Sequence, residues 1–205
     1  MRQVTGNNIQ ISANKVSIQL PLGGHSFSLE QAAEACRNTT VETVECTVLT
    51  PRTTLVPREC FDAAAAEHYL RIAGLGCRTN ETAVTSDTSA RIVAVMAADA
   101  GCVRGLREMF GDRVTFTSPL CGNQNYSEPT VWLHRTGDLI YIKIYRPVLR
   151  LAEALEISSD TDVLQLLYDL RGAYDADSCT IVCSGERCEH LRRKLAKYYR
   201  HVKCE

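Results

Sequence analysis

Apolar and polar side chains alternate at corresponding places in the two halves of the chain. Val16, Ile18 and Leu20 are spaced by Ser17 and Gln19, a period of two that puts the apolar groups on one face of a strand. Pro21-Leu22-Gly23-Gly24 has turn chemistry, and Phe27 and Leu29 resume the alternation. Residues 16–29 therefore read as a β-hairpin, preceded by a polar, flexible N-terminal segment over residues 1–15. A third strand is predicted through Val44, Cys46 and Val48. Pro57 opens a helix with Phe61, Ala65, His68, Tyr69 and Ile72 on one face. The apolar run over residues 91–98 predicts a buried strand. A helix after Gly101 carries Val103, Leu106 and Phe110, and Val114 to Thr117 form a further strand.

The second half opens in the same way. Thr130 to Leu133 read as a strand, Thr136-Gly137-Asp138 as a turn, and Leu139 to Tyr145 as a strand with Ile140, Ile142 and Ile144 on one face. An extended stretch follows from Val148 to Leu155. Ser159 then caps a helix, with Asp162 at the spacing of a capping box and an apolar stripe of Val163, Leu166, Leu167, Leu170 and Tyr174. Cys179 to Cys183 form a strand, Ser184-Gly185 a turn, and Leu191, Leu195, Tyr198 and Val202 the apolar stripe of a last helix. The order hairpin, third strand, helix, strand, helix is predicted twice, as a repeat of architecture without sequence identity. The fold class is α/β, with one lobe over residues 16–128 and another over 129–205.

Composition narrows the partners. A length of 205 residues with 45% apolar residues supports a substantial core, and a net charge of −1 provides no global field toward nucleic acid or an anionic surface. No run approaches the ~18 apolar residues of a spanning helix, and the N-terminus has no apolar signal region. The expected compartment is the cytoplasm, with no membrane partner. The ten cysteines include no CxxC pair and read as reduced, mostly buried thiols. The N-x-S/T triplets at Asn38, Asn80 and Asn125 read as chance matches.

Each candidate constellation has a plain structural alternative. Gly23-Gly24 permits close approach of backbone to an anion, or simply turns a hairpin. Ser184-Gly185 lies where a strand enters a helix, a place that can hold phosphate and is also an ordinary connection. The last helix carries Arg187, Arg192, Arg193, Lys194, Lys197, Arg200 and Lys203, which read as a solvated face or as a surface for an acidic partner. Cys183, Cys188 and His190 match no metal spacing. His25, His68, His134 and His201 suggest no catalytic triad.

The segments VSIQLPLGGHSFSL (16–29), TTLVPRECFD (53–62), LIYIKIY (139–145), DTDVLQLLYDL (160–170) and TIVCSGERCEHLRRKLAKYY (180–199) resemble a bacterial family, the domain-of-unknown-function 3822 family. That family shares the actin-like ATPase fold of actin, sugar kinases and heat-shock chaperones. The resemblance implies two ribonuclease H-like lobes, each a mixed sheet with flanking helices. In active members of the superfamily, an Asp in the first strand of each hairpin positions Mg²⁺ and water at the γ-phosphate. Here Gln19, Pro21 and Leu22 stand at the first hairpin, and Leu133 and His134 precede the second turn, with Asp138 beyond it. The expectation is therefore a non-catalytic pseudo-ATPase without catalytic residues, metal or cofactor, which acts through an unidentified protein partner or a homodimer. The second expectation is nucleotide binding in the inter-lobe cleft, with ATP as the ligand and Gly23, Gly24, Gly137, Ser184 and Gly185 lining it. A third is nucleic-acid binding through Arg192, Arg193, Lys194 and Lys197, although nucleic acid is not the expected partner.

Overall fold

Alternation becomes strand in both halves of the chain. The computed structural model describes residues 3–4, 9–12, 15–22, 42–122 and 126–205. The chain divides into two compact units, Met1–Cys121 and Gly122–Glu205. Gly23, Gly24, His25 and the expected strand at Phe27 and Leu29 lie outside the described residues.

The first unit runs β1 (Gln3–Val4), β2 (Ile9–Ser12), β3 (Lys15–Pro21), β4 (Thr43–Leu49), β5 (Thr53–Pro57), α1 (Ala66–Ile72), β6 (Glu81–Thr85), β7 (Ile92–Asp99), α2 (Ala100–Phe110) and β8 (Val114–Thr117). β1, β2, β3, β4 and β8 lie side by side in that order, the first three antiparallel and the last three parallel. The segment before residue 16 is thus partly strand, and Ile9 is only 2% exposed. Ile9 joins β2 to the core of this unit. Val16, Ile18 and Leu20 pack with Val44, Cys46, Val48 and Phe116 of the same sheet and with Val103, Leu106 and Phe110 of α2.

A three-stranded antiparallel sheet, β5-β7-β6, lies in the same unit. β7 is apolar on both faces because both are covered. Ala94, Met96 and Ala98 join the main core, while Val95 and Ala97 pack with Val56 and with Leu70 of α1. The helix expected from Pro57 starts only at Ala66, since Thr53–Pro57 is strand and short 3₁₀ turns cover Arg58–Cys60 and Ala63–Ala65. Phe61 and Ala65 therefore fall out of helical phase. The buried position is Leu70, and Ile72 is 68% exposed.

The second unit runs β9 (Thr130–Thr136), β10 (Leu139–Arg146), β11 (Val148–Glu156), α3 (Asp160–Tyr174), β12 (Thr180–Gly185), α4 (Cys188–Leu195) and β13 (Val202–Cys204). The sheet order is β11-β10-β9-β12-β13, antiparallel through the first three strands and parallel through the last three. Ser159 and Asp162 form the capping box of α3. Val163 and Leu167 of α3 and Leu191 and Leu195 of α4 pack on one sheet face, against Val131, Leu133, Ile140, Ile142, Ile144, Ile181 and Cys183. The last helix stops at Leu195, so Tyr198 is 68% exposed and Tyr199 takes the buried place. Val202 belongs to β13, paired with Ile181, because the chain turns back to extend the sheet.

Both five-stranded sheets share one pattern of directions, yet the chain threads them differently. In the second unit the central strand β9 comes first and the edge strand β11 third. In the first unit the edge strand β1 comes first, and the central strand β3, paired parallel with β4, comes third. The antiparallel neighbour of β3 is β2, which precedes it. Alternation shows which face of a strand is buried but not which strand lies beside it. Among the described residues no helix is long and apolar enough to cross a membrane.

Candidate functional site

In the second unit β9 and β12 run parallel and side by side, while the chain leaves β9 toward β10 and leaves β12 toward α4. Connections that diverge from adjacent strand ends leave a crevice at the carboxyl ends, and this is where ligands of open α/β sheets bind. The side chains there come from four elements and meet because of strand register. Ser184 lies beside His134, and Gly185 beside Arg135.

Val131, Leu133 and Arg135 alternate along β9, so Arg135 extends the apolar, helix-covered face with a charge. It is 7% exposed and forms an ion pair with Asp160, the first residue of α3, itself 6% exposed. Two side chains of α4 reach the other carboxylate oxygen of Asp160, His190 Nδ1 at 2.9 Å and Lys194 Nζ at 3.3 Å. Burial alone would raise the Asp160 pKa, but hydrogen bonds from Lys194 and Arg135 outweigh it and hold the carboxyl below its ordinary range. The carboxylate of Asp160 is already engaged by three basic side chains, Arg135, His190 and Lys194.

The β9–β10 turn is tied to the same place. Gly137, with φ of 55°, makes the turn, and its N–H donates to Glu186 Oε2 at 3.2 Å. The Glu186 N–H donates to the Arg135 carbonyl at 2.8 Å, and Arg135 Nε donates to the Gly137 carbonyl at 3.3 Å. A backbone amide of the turn is thus occupied by a carboxylate of the chain itself. Asp138 is exposed and accepts the Ile157 N–H through its carbonyl at 2.8 Å.

Gly185 ends β12 with φ of 79°, and a Cβ there would lie 2.2 Å from the Arg135 carbonyl oxygen and 2.9 Å from the His134 ring. Close strand approach therefore explains this glycine without a ligand. Ser184 and Gly185 are part of the strand; the turn into α4 is Glu186 and Arg187, with Arg187 in the left-handed region at φ 53°.

The opposite face of the same sheet carries Trp132, His134, Tyr141 and Lys143, with Trp132, Tyr141 and Lys143 all buried. The His134 ring stacks on Trp132 at 5.5 Å between centroids. Lys143 Nζ sits 4.9 Å over the Trp132 ring and donates to the Gly122 carbonyl at 2.9 Å. Trp132 Nε1 donates to Glu205 Oε2 at 3.2 Å. The Ser184 hydroxyl donates to the Leu133 carbonyl (3.3 Å), which leaves His134 Nδ1 to donate to Ser184 Oγ (3.0 Å) and Nε2 to accept from Thr136 (3.2 Å). That is the neutral ring, in accord with a His134 pKa lowered chiefly by burial.

No family model matches the sequence, and no curated protein matches it. Solved structures do. One is a protein of Bacteroides thetaiotaomicron with an actin-like ATPase fold and unknown function. It has a TM-score of 0.71 and 16% identity, over 94% of this chain and 91% of that one. The chain has an actin-like ATPase fold. Two weaker likenesses are the cytoplasmic domain of EpsL, an inner-membrane component of the type II secretion system of Vibrio cholerae, and the Alp12 filament. The former has a TM-score of 0.46 and 8% identity, over 83% of this chain and 81% of that one. The latter has 0.37 and 10%, over 86% and 68%.

Of the residues singled out in the sequence, Gly137, Ser184 and Gly185 meet at the carboxyl ends of β9 and β12. The basic group is dispersed. Arg192 pairs with Glu189 at 2.9 Å and Lys194 with Asp160, Arg193 is exposed on α4, and Lys197 lies beyond its end. Arg200 and Lys203, expected on the same helix, fall in the connection to β13 and on β13 itself. Among the described residues no three His, Cys, Asp or Glu side chains converge as a metal-binding group. The sequence reading passed over Arg135, Asp160, Glu186 and His190 as members of this cluster. One signal was present: Val131-Leu133-Arg135 places a charge in register with core residues, which requires a buried counter-charge.

Proposed function

We propose that this chain is a non-catalytic member of the actin-like ATPase fold that works by binding a protein partner in the cytoplasm. The motif resemblance further suggests the bacterial domain-of-unknown-function 3822 family. The observation that carries the reading is the closed strand end of the second unit. Asp160 is consumed by Arg135, His190 and Lys194, and Glu186 occupies the Gly137 amide. Phosphoryl transfer needs carboxylates available to hold a metal and orient water. At this strand end Asp160 is bound to basic side chains, and β3 carries Gln19 where the motif resemblance would place a carboxylate. Support for a protein partner comes from Tyr168 on α3 and Tyr198 after α4, 60% and 68% exposed, since exposed tyrosines are enriched where proteins meet.

A second reading, nucleotide binding without turnover, is favoured by the convergence of Gly137, Ser184 and Gly185. One experiment separates the two: thermal melting of the purified chain with millimolar ATP or ADP and Mg²⁺, alongside phosphate release. A ligand at a hundredfold excess over Kd adds about 2.7 kcal/mol of stability. The first reading expects an unchanged melting curve and no release above a heat-denatured control. A shift without release supports the second reading; release above the control refutes both.

A further inference from the structure

In the first unit, α2 uses one side for the core and another for a groove. Val103, Leu106 and Phe110 pack into the core. Ala100, Val103, Arg104, Arg107 and Glu108 recur at helical spacing and, with Thr82 of β6, line an open groove of about 470 Å³. Its apolar lining is Ala100 and Val103, the latter only 3% exposed. Arg104, Arg107 and Glu108 are exposed around it. Among the described residues neither arginine forms an ion pair. Glu108 follows Arg104 by four residues, which is the less favourable order for a pair within a helix. We propose that this groove docks a short acidic segment of a partner protein, with carboxylates on Arg104 and Arg107 and an apolar side chain on Ala100 and Val103.

The chemistry of the groove selects that occupant. Arg107 lies over the Phe116 ring, 5.7 Å from its centroid. Stacking of this kind restrains a guanidinium while leaving its in-plane N–H donors for a carboxylate. The start of α2 is already satisfied, since Asp99 accepts the Cys102 N–H at 2.7 Å and the Ala100 N–H donates to the Asn80 carbonyl at 2.9 Å. The attraction for an anion therefore comes from the two arginines and not from the helix end. Glu108 limits how far negative charge can extend along the groove, so a continuous polyanion such as a nucleic acid meets repulsion there. The net charge of −1 adds no general field for one. A peptide with a few acids and an apolar residue satisfies every part of the lining.

This inference gives the partner of the proposed function a place and a chemistry, and it rests on that reading. The test uses the whole chain and fluorescein-labelled octapeptide pools. One pool alternates glutamate with a mixture of valine, leucine, isoleucine and phenylalanine; two others carry glutamine or lysine in place of glutamate. Fluorescence anisotropy at low salt should show the glutamate pool bound at least about tenfold more tightly than the glutamine pool, with a preference that weakens as salt rises. Arg104→Gln with Arg107→Gln should abolish the preference, and Arg104→Glu with Arg107→Glu should transfer it to the lysine pool. In the wild-type chain, NMR amide shifts on binding should centre on Thr82, Ala100 and Val103, which decides the matter even if a variant folds poorly. Equal affinity for the glutamate and glutamine pools would overturn the proposal, as would a preference kept by the glutamine variant or amide shifts confined to other residues. Tighter binding of a polyuridylate of equal charge would overturn it too, by making the groove a general anion site. Phosphate release from ATP refutes the non-catalytic reading, whereas loss of the glutamate preference refutes the groove alone.

Discussion

Replacing Asp160 with Asn removes one charge and almost no volume. In the native chain its carboxylate is the counter-charge of Arg135, whose side chain is 9% exposed. Lys194 and His190, with side chains 42% and 51% exposed, regain water when the carboxylate is lost, so their share is discounted. Arg135 cannot do so, because it lies on the helix-covered face beyond Val131 and Leu133. Removing one partner of a buried pair costs about 3–5 kcal/mol, and loss of an acid in the first turn of α3 adds about 0.3–1 kcal/mol. Asn retains one acceptor, so about 3 kcal/mol is expected. With a urea m-value of about 2–3 kcal/mol/M the midpoint falls by about 1–1.5 M. Trp132 is the single tryptophan and lies in the second unit, so its fluorescence follows that unit. Adding Arg135→Met removes the stranded charge and should recover much of the loss. A folded-state pKa below the unfolded one means that the stabilisation is present in full above the ordinary Asp range and is lost as pH falls through the depressed value. The gap between wild type and variant should therefore narrow in acid. A midpoint shift below about 0.3 M, at unchanged m-value, would refute the reasoning, as would two substitutions whose costs simply add.

Two further predictions follow from the same strand ends. Gly185→Ala places a Cβ 2.2 Å from the Arg135 carbonyl oxygen, whereas Gly137→Ala meets nothing within 4 Å. The first should cost several times the roughly 1–2 kcal/mol of left-handed strain expected for the second, measured as the difference in melting temperature. His134 should titrate below its ordinary value of 6.5 because burial lowers its pKa, which NMR of the imidazole resonances measures directly. Its contribution to stability is complete above the unfolded pKa and declines as pH falls through that value toward the folded one, so His134→Gln should flatten the stability profile across that window.

Much of the second unit was legible in the chain. Its alternating segments, the Ser159–Asp162 cap and the Gly137 turn depend on interactions between near neighbours in sequence. The same local rules identified β7, because a residue run apolar on both faces has to be buried on both. The actin-like fold class was also legible, through motif order. Tertiary structure alone decided the rest. Ile9 is polar context by sequence and core by position; Pro21 looks like a hairpin turn, but β3 pairs with the strand before it. Phase failed in α1 because its start was misplaced, and the last helix ended early because β13 had a place beside β12. Most of all, Arg135, Asp160, His190 and Lys194 are spread over sixty residues of sequence and become one cluster only when α3 and α4 pack on the sheet. Local alternation determines which side chains face the core. Which distant charges meet there depends on the pairing of strands and helices, and that is decided by the free energy of the whole fold.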